Sequence, residues 1–323
     1  MTNAEHAESV LALDFGGTQL RSAVVLADGT VLGRIASRTP RKADEIVDAC
    51  VDQLTESIVL ADVAKPADLA ISAPGPLDPY RGVILTPPNL DRSLWDFPFA
   101  SALGDRLGVS AVMERDTQVA VLAEGQFGAA RGERDYIYMT VSTGVGGGVV
   151  TDGRLLRGPD GLAGELGHLT VDYNGPLCGC GMAGHLEALA SGTGIARRAV
   201  EAGMMRTDGT DIDARWVAVQ EDAGDPTARQ IMDNARRAFA AAVVTVVDVF
   251  NPSVLVVGGG IAIAQGDRLF DRARQALKAS AYSRQAERVR IVPAQLGDDV
   301  GLVGGLSLVG LARLGENGAG TRN

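Results

Sequence analysis

Apolar residues along this chain switch between an alternating and a helical period, and the switches mark its elements. Residues 10–35 (VLALDFGGTQLRSAVVLADGTVLGRI) open with an apolar run that reaches a Gly-Gly turn. A second run leads to Asp28-Gly29, and a third follows. Asp-Gly between apolar runs marks a hairpin, because both turn residues tolerate positive φ. Residues 136–156 (YIYMTVSTGVGGGVVTDGRLL) repeat the plan, with Asp152-Gly153 at the second turn. Thr18 and Asp28 are ten residues apart, and Thr143 and Asp152 nine. The recurrence predicts two related lobes, each opening with a β-meander.

Between and after the meanders the period is helical. Residues 43–63 carry Ile46, Cys50, Leu54 and Ile58 on one helix face. DLAISAPGPL reads as a short strand ending in Pro74-Gly75-Pro76, and the proline-bearing stretch 83–99 reads as loop. Helices are predicted over 117–128, most of 186–250, 268–284 and 300–314. Strands are predicted at 253–258 and 288–294, and the tail GENGAGTRN is expected to be disordered. Strands alternating with helices give an α/β class. No Pro/Ser-rich linker separates the halves, so closely packed lobes with a cleft between them are expected.

The apolar stretch 239–264 is the longest in the chain, but Asp248, Asn251 and Pro252 interrupt it. A membrane span needs about 20 predominantly apolar residues, so this one reads as helix, turn and strand. The first ten residues lack the basic and apolar regions of a secretory signal, and a cytoplasmic location is expected. The 323 residues carry a formal net charge of -10, which disfavours non-specific nucleic-acid binding. Three cysteines make no disulfide framework for a chain of this length.

Three glycine-rich turns each follow an apolar strand: DFGGT (14–18), STGVGGG (142–148) and VVGGG (256–260). Such turns bring backbone N–H groups close to a phosphate. None has the P-loop or dinucleotide-binding pattern in its proper context. Asp14 suits Mg2+ held through water, and Thr18 suits a phosphate oxygen. Four of the chain's six Cys and His residues cluster as His168, Cys178, Cys180 and His185, spaced H-x9-C-x-C-x4-H. Two thiolates and two imidazoles suit tetrahedral Zn2+.

With these motifs the chain resembles the ROK family of sugar kinases and repressors, within the hexokinase–actin–Hsp70 superfamily, over residues 10–314. The resemblance implies a two-lobed, actin-like (ribonuclease H-like) α/β fold binding ATP and a hexose. One lobe is expected at 1–117 with about 300–323, and a larger one with the zinc loop at 118–299. The first two glycine turns resemble the family's phosphate motifs, which implies ATP contacts at Asp14, Gly16, Gly17, Thr18, Thr143 and Gly144. VLVVGGGIA resembles the nucleoside-side motif, implying contacts at Gly258, Gly259 and Gly260.

Read alone, Asp116 in VMERDTQVAVLAE is more readily a helix cap than a catalyst. The family motif here is Glu-Asn-Asp-Ala-Asn, whose Asp is the catalytic base, and this sequence keeps the Asp as Asp116. Arg115 stands where the family Asn contacts a sugar hydroxyl. It is longer, charged and donor-only, able to bond another sugar oxygen or to pair with Glu114. Gln19 stands where Lys is common. The zinc pattern has one His and three Cys, and His185 replaces the last Cys. Four protein ligands make such a site structural. By resemblance Glu165, His168 and Glu187 bond sugar hydroxyls, with Asn89 and the Gly75 backbone nearby. The loop from Asn89 to Trp95 is longer than usual.

The reaction these features imply is transfer of the ATP γ-phosphoryl to a hexose 6-hydroxyl, with glucose the default sugar. Mannose, N-acetylmannosamine and N-acetylglucosamine stay open through Arg115, and a polyphosphate donor is not separated by the motifs. A repressor is disfavoured, because DFGGT begins at residue 14 and leaves no room for a winged-helix domain. A non-catalytic sugar sensor is disfavoured by Asp14, Thr18 and Asp116. A homo-oligomer, dimer or tetramer, is expected by resemblance alone.

Overall fold

The computed structural model describes residues 9–87, 90–279 and 283–315. The chain divides into two compact units, 1–132 with 157–163 and 295–323, and 133–156 with 164–294. The division falls near the expected 117/118 but not on it. That point lies inside the helix Asp116–Gln126, which packs on the helix Val300–Arg313 and so stays with the first unit. Residues 157–163 also belong to that unit, an excursion with no sequence signal.

Unit one is built on strands β1 (Ser9–Phe15), β2 (Gln19–Leu26), β3 (Val31–Arg38) and β4 (Asp68–Ala73), a two-residue pair β5 (Leu77–Asp78) and β6 (Val83–Ile84), and β7 (Ser110–Arg115). Its main sheet has the order β3-β2-β1-β4-β7. The meander is antiparallel, whereas β1, β4 and β7 run parallel. Central strands covered on both faces read as continuous apolar runs, as β1 and β4 do. The outer strand β3 is largely exposed, which explains its polar residues. One face is covered by Ala43–Ala61, which buries Ile46, Val47, Cys50 and Leu54. Leu302 of the helix Val300–Arg313 joins Ala12, Ala23 and Val25 in a separate small cluster. The helix Phe99–Leu107 begins where the predicted loop 83–99 ends, on residues to which the sequence assigned no element, and strand β7 runs into the predicted acidic turn at 114–116.

Unit two carries β8 (Tyr136–Val141), β9 (Val145–Thr151), β10 (Arg154–Leu155), β11 (Val254–Gly258) and β12 (Arg290–Pro293). Their order, β10-β9-β8-β11-β12, reproduces that of unit one, again with a meander followed by parallel neighbours. The apolar stretch 239–264 resolves into the end of the helix Pro226–Phe250, a turn at Asn251, strand β11 and a short helix. Asp225 caps that long helix by accepting from Ala228 N, and Pro226 sits at its first turn. The predicted 268–284 helix ends at Lys278, and Ser283–Arg288 is separate. The tail from 316 lies outside the described residues. Among the described residues no helix is long and apolar enough to cross a membrane.

Candidate active site and metal centre

In unit one, register places the candidate groups. Asp14 on β1 lies opposite Arg21 on β2 and Ser72 on β4, and Ser72 lies opposite Glu114 on β7. Residues opposite one another share a sheet face, so these four form one polar row across the sheet. Arg21 donates to Asp14 Oδ2 at 2.9 Å, and the Ser72 hydroxyl to Oδ1 at 3.1 Å. Burial pushes the Asp14 carboxyl above its usual range, against the lowering effect of Arg21 and Ser72. Gly301 borders it, since a Cβ there would lie 2.7 Å from Asp14 Cγ. Only glycine lets the start of the last helix come this close.

Just past the row, at the carboxyl ends of the parallel strands, come Gly16 and Gly17, then Gly75, then Asp116. Ligands of open α/β sheets bind at such ends. Gly16 N donates to Gln19 O at 2.9 Å and closes the first turn tightly, leaving Gly17 and Thr18 exposed. Asp116 is the first residue of its helix, and Arg115 occupies the cap position. Asp116 Oδ1 accepts from Thr117 N at 2.7 Å.

Glu114 is fully buried and pairs with Arg157 Nε at 2.7 Å, while its other oxygen accepts from Arg115 N. The Arg115 guanidinium, itself buried, donates to Ala163 O, which Gln118 Nε2 also reaches at 2.8 Å. The Arg115 stem lies against Gly75, with Cδ 3.0 Å from where a Cβ would stand. The strand end carrying Asp116 is thus tied to residues 157–163 through three side chains. Asn89 lies outside the described residues.

In unit two, β8 and β11 run parallel, and their carboxyl ends bring Thr143, Gly144 and Gly258–Gly260 to one edge. The second glycine turn is clamped from behind: Gly192 N donates to Ser142 O at 2.7 Å, and Thr193 Oγ1 to Thr143 O at 2.9 Å. Glu187 Oε2 accepts from Val145 N at 2.9 Å, and a Cβ at Gly144 would stand 2.7 Å from that oxygen.

The segment 168–187 turns back on itself through bridges between Thr170 and His185 and between Leu177 and Ala183. Cys178 N donates to Met182 O at 2.8 Å, wrapping the two thiols inward. The ligand atoms of His168, Cys178, Cys180 and His185 all lie within 4.8 Å of one another. His168 Nδ1 is 3.2 Å from His185 Nδ1 and 4.0 Å from Cys178 Sγ, and Cys180 Sγ is 3.3 Å from His185 Nδ1. A zinc tetrahedron with bonds of about 2.3 Å to sulfur and 2.0 Å to nitrogen has edges of about 3.3–3.8 Å, so the donor types suit zinc and the cluster, spread up to 4.8 Å, needs only to draw in slightly to hold it. Burial and the adjacent His168 lower the His185 pKa, favouring the neutral imidazole that ligates metal. His168 turns Nδ1 into the cluster, so Nε2 is the nitrogen left for other contacts. Glu165 is exposed beside His168, and Glu187 Oε1 lies 3.8 Å from Cys178 Sγ.

Sequence reasoning missed Arg21, Ser72, Gly301 and the Glu114–Arg157 pair. A signal existed for Arg21, because a tight turn over 16–18 sets the hairpin register that puts it opposite Asp14. None existed for Arg157 or Gly301, whose partners are remote in sequence.

Several known proteins are similar to this chain over almost its whole length. The glucokinase of Thermotoga maritima is 32% identical over 312 residues, covering 93% of this chain and 96% of that protein. The N-acetylmannosamine kinase of Shigella flexneri is 34% identical over 297 residues, covering 92% and 96%. The crystal structure of a ROK family glucokinase from Streptomyces griseus, in complex with glucose and AMPPNP, has a TM-score of 0.76 at 31% identity, covering 93% of this chain and 98% of that one. The ROK family matches residues 10–311, and the chain belongs to it.

Proposed function

We propose that this protein is an ATP-dependent hexose kinase that transfers the γ-phosphoryl group to the sugar 6-hydroxyl, with glucose as the preferred acceptor. The protein is a sugar kinase. The observation that carries the reading is the position of Asp116, one residue beyond β7 at the strand ends that also present Gly16, Gly17 and Gly75. A carboxylate there accepts the proton of the attacking hydroxyl, while Thr18 and the turn N–H groups hold phosphate oxygens and Asp14 holds Mg2+ through water. Thr143 and Gly144 serve the phosphates from unit two, and Gly258–Gly260 the nucleoside side. Glu165, His168 and Glu187 accept from or donate to sugar hydroxyls, with Asn89 and Gly75 completing the sugar contacts; Arg115, proposed from sequence as a further one, instead buries its guanidinium on Ala163 O and lays its stem against Gly75.

His168, Cys178, Cys180 and His185 would hold structural Zn2+, which fixes the loop bearing the sugar-facing side chains. Glu187 supports this role, because one carboxylate lies near both Cys178 and the second glycine turn. N-acetylmannosamine is the second reading of the acceptor. The similarity to an N-acetylmannosamine kinase favours it, and the departure at Arg115 leaves the acceptor open to it.

A coupled ADP-release assay with Mg-ATP across hexoses and N-acetylhexosamines tests the proposal. Turnover with one sugar is expected, reduced about 10³-fold in kcat by Asp116→Asn with sugar binding retained. Near-native turnover in that variant would sink the base assignment, and silence of the folded, zinc-loaded protein across the panel would sink the kinase reading.

A further inference from the structure

Two cavities adjoin the first glycine turn, one of about 580 Å3 bordered by Gly17, Thr18, Arg38, Thr39 and Arg41, the other of about 520 Å3 bordered by Gly16–Thr18, Arg21 and Arg38. Arg38 borders both. It is the last residue of β3 and lies opposite Gln19, the first of β2, so a sheet ladder fixes its backbone beside the turn. The next residue ties the two segments further. Thr39 N donates to Thr18 O at 3.1 Å, and Thr39 Oγ1 to Gly16 O at 2.6 Å.

The three arginines on these cavities differ in what they face. Arg21 is paired with Asp14 at 2.9 Å. Arg38 and Arg41 are exposed and have no carboxylate within ion-pair distance among the described residues. Asp91, on the rim, turns a carboxylate oxygen to Ser93 N at 2.9 Å. Gln19 brings no charge. In a chain with 40 acidic and 30 basic residues, two arginines without acidic partners against a glycine turn leave a local positive field. A guanidinium binds phosphate oxygens through a planar fork of donors, which the backbone N–H groups of a glycine turn complement.

We propose that Arg38, backed by Arg41, binds the phosphoanion held at the Gly16–Thr18 turn. The inference rests on the kinase reading for its ligand, the terminal phosphates of a nucleoside triphosphate. It adds a residue to which neither the glycine motifs nor Asp116 pointed.

Binding of Mg-bound inorganic triphosphate, measured by calorimetry at low salt, tests it without turnover. Arg38→Gln should weaken that binding about tenfold, the size of one charge-assisted contact. The KM for Mg-ATP should rise by a similar factor, with the KM for sugar and the affinity for adenosine unchanged. Adding Gln19→Lys to Arg38→Gln moves the charge across the ladder and should recover most of the loss. Lys278→Gln, on a helix of unit two that borders neither cavity, should change nothing. Wild-type triphosphate affinity in a folded Arg38→Gln protein would overturn the proposal, as would equal losses for adenosine. Triphosphate binding that depends on Arg38, in a protein silent toward every sugar, would uphold this site while removing the kinase reading.

Discussion

The polar row of unit one and the Cys/His cluster of unit two are built in opposite ways. The cluster takes its four donors from an 18-residue stretch, 168–185, and closes on itself. The row takes Asp14, Arg21, Ser72 and Glu114 from four strands and then leans on Arg157 and Gly301, far along the chain. A local site needs only the right residues at the right spacing and a metal to organise them. An assembled site needs the whole sheet first, and its charges are held by partners that arrive from elsewhere.

The strongest way to break this contrast is to remove the thiolates. Cys178→Ser with Cys180→Ser should take bound zinc from one per chain to none. Structural zinc is worth about 10 kcal/mol or more in small isolated domains, so local order should collapse. Hydrogen exchange should accelerate over 168–187 while amides of β1, β4 and β7 keep their protection. Protection lost equally in both units would end the claim that the cluster is self-contained, and metal analysis finding no zinc in the carefully purified wild type would end the zinc assignment.

The converse cut is Arg157→Gln. It leaves Glu114 fully buried without its cation, a loss of about 3–5 kcal/mol for a pair broken on one side. Thermal and urea unfolding should both show it, with zinc content unchanged. A cost below about 1 kcal/mol, the range of solvent-exposed pairs, would mean that water replaces the guanidinium.

The smallest effect concerns Asp14. Its folded pKa is raised by burial, so its contribution favours the folded state fully below the unfolded carboxyl pKa of about 3.9 and is lost as pH rises through the folded value. Asp14→Asn should therefore be at least as stable as wild type at pH 8 and lose that advantage in acid, while Mg-ATP turnover falls. Urea titrations at the two pH values measure the crossing. A variant less stable at pH 8 than in acid, relative to wild type, would show that the Arg21 ion pair outweighs burial.

Legibility in the sequence followed the same divide. The meanders, the helix 43–61 and strand β11 carry periodic apolar patterns and glycine punctuation, so both lobes could be read. The Cys/His spacing could be read because its geometry is short-range. Strand β7 was hidden because Ser110–Arg115 ends in Glu114-Arg115, charges that look like a turn until Arg157 and Ala163 are seen to receive them. Arg115 was legible as a departure but not as a buried donor to a carbonyl 48 residues away. Pairings of that span leave no local trace.

The helix Val300–Arg313 faces β1 and β4 and packs on Asp116–Gln126, whereas unit two is complete by residue 294. During synthesis the first unit therefore cannot close until every residue of the second has been made. Strands made earliest wait with one face uncovered until the last helix clears the ribosome, and the half bearing Asp116 matures last. A released chain truncated before residue 300 would keep every residue of the second unit but lack the helix that covers the first, the form a chaperone would meet.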